Sequence, residues 1–71
     1  MSAFKPKEVI SILTQLGFIK KRQNGSHVIM YSSRLSLTIP VPMHTKDLGK
    51  GLVKSIIKSV ESSEKEFLKL K

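Results

Sequence analysis

Asn24-Gly25 is the feature that leaves this chain the fewest choices, because both residues accept positive φ and favour a two-residue hairpin turn. A hairpin needs a strand on each side. Before the turn, Phe18–Gln23 reads as a strand, with Lys20 and Arg22 on one side and Lys21 on the other. After it, His27–Tyr31 reads as a second strand, opened by a histidine and continued by the apolar run Val28-Ile29-Met30-Tyr31. Ser32-Ser33-Arg34 supplies the next turn. Leu35, Leu37, Ile39 and Val41 then alternate with Ser36 and Thr38, the period of a half-buried strand. Pro40 and Pro42 are expected to end that strand and keep its end out of further pairing.

Helical spacing flanks these strands. Pro6 suits a first helical position, where its missing N–H costs nothing. Val9, Ile10, Leu13 and Leu16 follow at helical intervals and Gly17 is a stop, which predicts a helix over 6–16. Past Gly49-Lys50-Gly51, Leu52, Val53, Ile56, Ile57 and Val60 form an apolar stripe, and Lys50, Lys54 and Lys58 a charged one. Ser63 and Glu66 fit a capping box, so Phe67, Leu68 and Leu70 belong to a short terminal helix. Helix, three antiparallel strands, then helix gives an α+β fold in two layers, with the helices on one face of the sheet. The 71 residues are read as one domain, 1–71, with a modest core.

Charge narrows the partners. Thirteen Lys and Arg against five Asp and Glu leave a net charge of +8. That favours a polyanion: nucleic acid, an acidic membrane surface or an acidic protein. The membrane is the weakest of these, since no helix sets bulky aromatics against a basic face and no apolar stretch reaches spanning length. The opening MSAFKPKEV lacks the apolar run of a secretory leader. Cys is absent, so no disulfide framework forms and a reducing, cytoplasmic setting is expected. Two histidines and one Asp at irregular spacing match no zinc pattern; neither metal nor cofactor is expected.

Strand order gathers the candidate chemistry at one end of the sheet. The second strand starts at His27, and the third, running antiparallel, ends just before His44. Lys46 and the start of the second long helix follow closely. A helix N-terminus with free N–H groups, Lys50 and flanking glycines is a place for a phosphate. Imidazole takes and returns a proton near neutrality, and RNA carries its own nucleophile in the 2′-OH. A base that removes that proton lets the oxygen attack the adjacent phosphorus, with lysines stabilising the developing charge. Bland explanations stand beside each residue. A histidine at a strand start is ordinarily a polar group facing water. His44 suits a loop cap, Ser26 suits turn chemistry, and the lysine stripe suits a solvated helix face.

The residues also resemble a known family. Val9-Ile10, Leu13 and Gly17-Phe18 lead to Arg22-Gln23-Asn24-Gly25-Ser26-His27, which resembles the R-x-x-G-S-H signature of HicA-type mRNA interferase toxins. Val41-Pro42-Met43-His44 is similar to that family's V-P-V-H. Lys46-Asp47-Leu48, Gly51, Ile56-Ile57-Lys58 and Glu66-Phe67-Leu68 extend the likeness along nearly the whole chain. The resemblance implies a fold like a double-stranded-RNA-binding domain and ribosome-independent cleavage of mRNA by an endoribonuclease. It implies His27 as the catalytic residue and a HicB-type antitoxin as the inhibiting partner. Met43 and Gly49 depart from the family's commoner residues, and Lys20-Lys21-Arg22 is unusually basic.

The expected RNA contacts are Lys20, Arg22, Ser26, His44, Lys46, Lys50, Lys54 and Lys58. His44 is left as a second acid/base group, a phosphate contact or a structural residue. Two readings compete with the metal-independent nuclease. One is a non-catalytic double-stranded-RNA-binding module of the same fold, which needs no titratable group. The other is a small adaptor for an acidic protein.

Overall fold

The computed structural model describes residues 3–71; Met1 and Ser2, where the leader reading begins, lie outside them. The elements follow the order α1 (Pro6–Gln15), β1 (Ile19–Asn24), β2 (His27–Ser32), β3 (Leu37–Pro42), α2 (Lys50–Ser59) and α3 (Glu64–Leu70). The strands form one antiparallel sheet in the order β1-β2-β3. This is the α+β helix-strand-strand-strand-helix arrangement that the sequence predicts.

Local chemistry sets the boundaries. Pro6 opens α1, and the Glu8 carboxylate accepts from the Lys5 backbone N–H at 2.8 Å, beside the positive end of the helix. Gly17, at φ +98°, closes it: its N–H donates to the Thr14 carbonyl and the Phe18 N–H to the Leu13 carbonyl. The helix therefore ends at Gln15, with Leu16 as its cap, one residue short of the expected end. Two bonds of the same kind, from Glu61 to Lys58 and from Ser62 to Ile57, end α2, and there Glu61 takes φ +57°. At α3, Ser63 Oγ accepts from the Glu66 N–H at 3.1 Å. The Glu66 carboxylate pairs with the Ser62 hydroxyl.

Three expectations about the sheet are corrected. β3 begins at Leu37, not Leu35, because the turn is longer than Ser32–Arg34. Leu35 donates its N–H to Ser32 Oγ, and Ser36 takes φ +50°, so both are spent on the turn. Pro40 and Pro42 lie inside β3 and pair with Ile29 and His27. They fit because β3 is an edge strand. Met43 gives its N–H to Ser26, so by alternation the even-numbered nitrogens of this strand point away from β2, where no donor is needed. Lys20 and Arg22 do not share a side. Lys20 pairs with Met30 and Arg22 with Ile29, leaving Lys21 as an extra residue in a β-bulge that reverses the alternation.

Val28, Met30 and Ser32 of β2 and Ile39 and Val41 of β3 are buried beneath the helices. Val9, Ile12 and Leu13 of α1, Val53, Ile56 and Ile57 of α2, and Phe67 of α3 close over them. Ile12, not Ile10 or Leu16, shares the fully buried stripe of α1. Phe4 is fully buried too, with its ring edge-on to Phe67 at 6.0 Å, and the Leu48 N–H donates to its carbonyl. Among the described residues, none forms a second layer on the opposite sheet face. His27, Ile29 and Tyr31 look out from it, with Arg22 and Asn24 beside them on β1.

Candidate active site

The hairpin turn and the end of β3 are tied by one hydrogen bond, from the Met43 N–H to the Ser26 carbonyl at 2.6 Å. Gly25, at φ +60°, makes the turn that presents Ser26. Each end of this bond is the chain neighbour of a histidine. The His27 and His44 rings stand 6.3 Å apart, centroid to centroid, tilted by 57°. Both side chains are exposed. One phosphate group can contact both rings at that separation, since hydrogen bonds to imidazole run about 2.7–3.2 Å.

Arg22 joins this pair on the open face. It sits opposite Ile29, one step diagonal to His27, a spacing that long side chains bridge. The bulge sends Lys20 to the other face. There it lines a shallow cavity of about 290 Å³ with Lys7 and Ile10 of α1, Gln23, Val28 and Met43. A second cavity of about 240 Å³ adjoins it through Lys7 and Met43, and Lys5, Pro6, Glu8, Thr45 and Lys46 complete its wall. Lys46 therefore comes to the histidine end of the sheet, as expected, on the helix side of it.

The lysines of α2 go elsewhere. That helix meets the β3 edge through Leu52, Ser55, Ile56 and Ser59. At about 100° per residue, Lys50, Lys54 and Lys58 lie on the flank turned away from that contact, and they line none of these cavities. The basic residues that line the two cavities are Lys5, which precedes α1, Lys7 of α1, Lys20 of β1 and Lys46, and of these Lys5 and Lys7 were absent from the sequence expectation. A signal for them existed. α1 ends where β1 begins, so its first turn lies over the end of β1, at the hairpin.

Among the described residues, no group of three or more His, Cys, Asp or Glu is placed to hold a metal ion. No helix among them is long and apolar enough to cross a membrane. The arrangement offers two exposed imidazoles 6.3 Å apart, an arginine on the open sheet face beside them and a lysine-rimmed groove behind them.

Comparison with known proteins supplies the lineage. No curated protein matches the chain at a significant level. The family described as the HicA toxin of bacterial toxin-antitoxin matches residues 6–61, from the first residue of α1 to Glu61, just past the Val60 cap of α2. The stretch includes both histidines and the turn that joins them, and the chain therefore belongs to the HicA toxin family, the toxin side of a bacterial toxin–antitoxin pair.

Proposed function

We propose that the chain is an endoribonuclease that cleaves mRNA by transfer to the 2′ oxygen, with His27 as general base and His44 as general acid. His27 takes the proton of the 2′-OH. The 2′ oxygen attacks phosphorus, the bond from phosphorus to the 5′ oxygen breaks, and His44 gives its proton to that leaving oxygen. The products are a 2′,3′-cyclic phosphate and a free 5′-OH. Arg22, on the same face, stabilises the charge on the non-bridging oxygens. The carrying observation is the 6.3 Å separation of two exposed imidazoles, because such a transfer needs a base and an acid on either side of one phosphate.

Inhibition is by cover. The longest connection between elements, residues 43–49, is short, and it is held at both ends by Met43 and Leu48, so it makes no lid. A HicB-type antitoxin bearing acidic residues would lie over Arg22, Lys46 and the hairpin, hiding His27, and the net charge of +8 would speed its capture.

The test is a single-stranded RNA incubated with the purified chain, with the new ends analysed. A cyclic phosphate that disappears with His27→Ala while RNA binding persists supports the nuclease. Binding without cleavage by either protein supports a non-catalytic RNA-binding module.

A further inference from the structure

The floor of the groove beneath α1 is made by the chain neighbours of both histidines. Val28 follows His27, Met43 precedes His44, and both line the larger cavity. Whatever occupies that groove therefore lies one residue's breadth behind the histidine pair. The two adjoining cavities, of about 240 and 290 Å³, share Lys7 and Met43 and form one trough. Its floor is apolar, from Pro6, Ile10, Val28 and Met43. Its rim carries Lys5, Lys7, Lys20 and Lys46, against one carboxylate, Glu8, and the hydroxyl of Thr45 in the smaller cavity. Gln23 is the one neutral polar side chain in the wall of the larger cavity. Its Nε2 reaches the Gly25 carbonyl at only 3.4 Å, and its amide oxygen is left to accept.

We propose that this trough is a nucleotide subsite that holds single-stranded RNA next to the phosphate cleaved by His27 and His44. Cleavage at that phosphate rests on the nuclease reading; binding in the trough does not. Size and chemistry carry it. Each cavity is below the roughly 300–1,000 Å³ of sites that enclose drug-sized ligands, and so suits one nucleotide. An apolar floor takes the face of a base, as apolar side chains do where a base leaves its stack. Lysines on the rim take the flanking phosphates. A duplex cannot put a base into such a trough, so the substrate is single-stranded there. Gln23 reads the edge of the seated base. The bulge at Lys21 is what makes the site: without it Lys20 would fall on the open face with Arg22.

The experiment measures binding of a fluorescein-labelled single-stranded RNA to the full chain carrying His27→Ala, across a salt series. Three sets are compared in that background: Lys7→Ala with Lys20→Ala, Gln23→Leu, and, as a charge-matched control on the exposed surface of α3, Lys65→Ala with Lys69→Ala. Loss of two phosphate contacts should lower the salt slope by about 1.4 and weaken binding on the order of tenfold, against a smaller change for the control. Gln23→Leu should leave the slope intact and alter preference at one base position. Circular dichroism melting of each set checks that the fold is kept. Equal losses from the groove and control pairs would overturn the proposal, as would unchanged RNA binding by the groove pair. Unchanged RNA binding with lost antitoxin capture would give the trough to the protein partner instead. If the chain with His27 intact cuts no RNA, yet the groove pair still weakens binding selectively, the nuclease reading fails and the subsite stands. If that chain cuts RNA and the groove pair binds and cuts like its parent, the subsite alone fails.

Discussion

The Met43 N–H donates to the Ser26 carbonyl, and this one backbone bond holds His27 and His44 in register with each other. Neither histidine needs a side-chain partner to be positioned. The turn fixes one, the end of the edge strand fixes the other, and the bond couples the two.

The first prediction separates base from acid. His27→Ala and His44→Ala should each slow cleavage by about 10²–10⁴, with RNA affinity changed far less. An RNA with sulfur in place of the 5′ leaving oxygen needs no acid, because thiolate leaves unaided. It should restore cleavage by His44→Ala and not by His27→Ala. Rescue of neither, or of both equally, would reject the assignment of roles.

Chelation gives the second prediction. The proposed transfer uses two imidazoles and a nucleophile supplied by RNA, so cleavage rates should be the same with and without excess EDTA. Loss of activity that added divalent ion restores would sink the two-histidine scheme.

A third concerns glycines that look alike in sequence and differ in backbone. Gly17→Ala forces a side chain onto φ +98° and should lower stability by about 1 kcal/mol, although no atom obstructs the new carbon. Gly51→Ala, inside the first turn of α2 and also unobstructed, should raise stability by about 0.5 kcal/mol. Urea midpoints of the two variants should move in opposite directions.

The fourth concerns the terminal helix. Phe67 is fully buried against Phe4 and lies beyond residues 6–61, the range over which the family matches. Phe67→Ala should cost about 3–5 kcal/mol, a large share of the stability of a domain this small. Leu68, on the same helix but 41% exposed, should tolerate the same change within about 1 kcal/mol. Comparable losses at both positions would mean that α3 does not seal the core.

Most elements were legible because their signals are local. Asn24-Gly25, Pro6, Gly17 and Ser63 each act on the residues beside them. Counting strand directions also brought His27 and His44 to one end. What escaped depends on pairing. A bulge at Lys21 leaves no mark in composition, yet it decides which face Lys20 and Arg22 occupy. Phe4 stands alone before a proline and shows no period; its burial depends on Leu48, far along the chain. Pro40 and Pro42 read as strand breakers because the sequence does not say that β3 has a free side. The lysines of α2 drew attention by their spacing, whereas Lys5 and Lys7 matter through where α1 starts.

The nitrogens that Pro40 and Pro42 turn outward have a consequence for crowding. Molecules released from an inhibitor tend to polymerise when a bare strand edge can recruit a copy of itself. On β3 two outward positions lack the hydrogen that such recruitment requires. On β1 the opposite edge is kinked at Lys21 and studded with like charge. Neither rim therefore offers a regular row of donors and acceptors for a further strand to pair with.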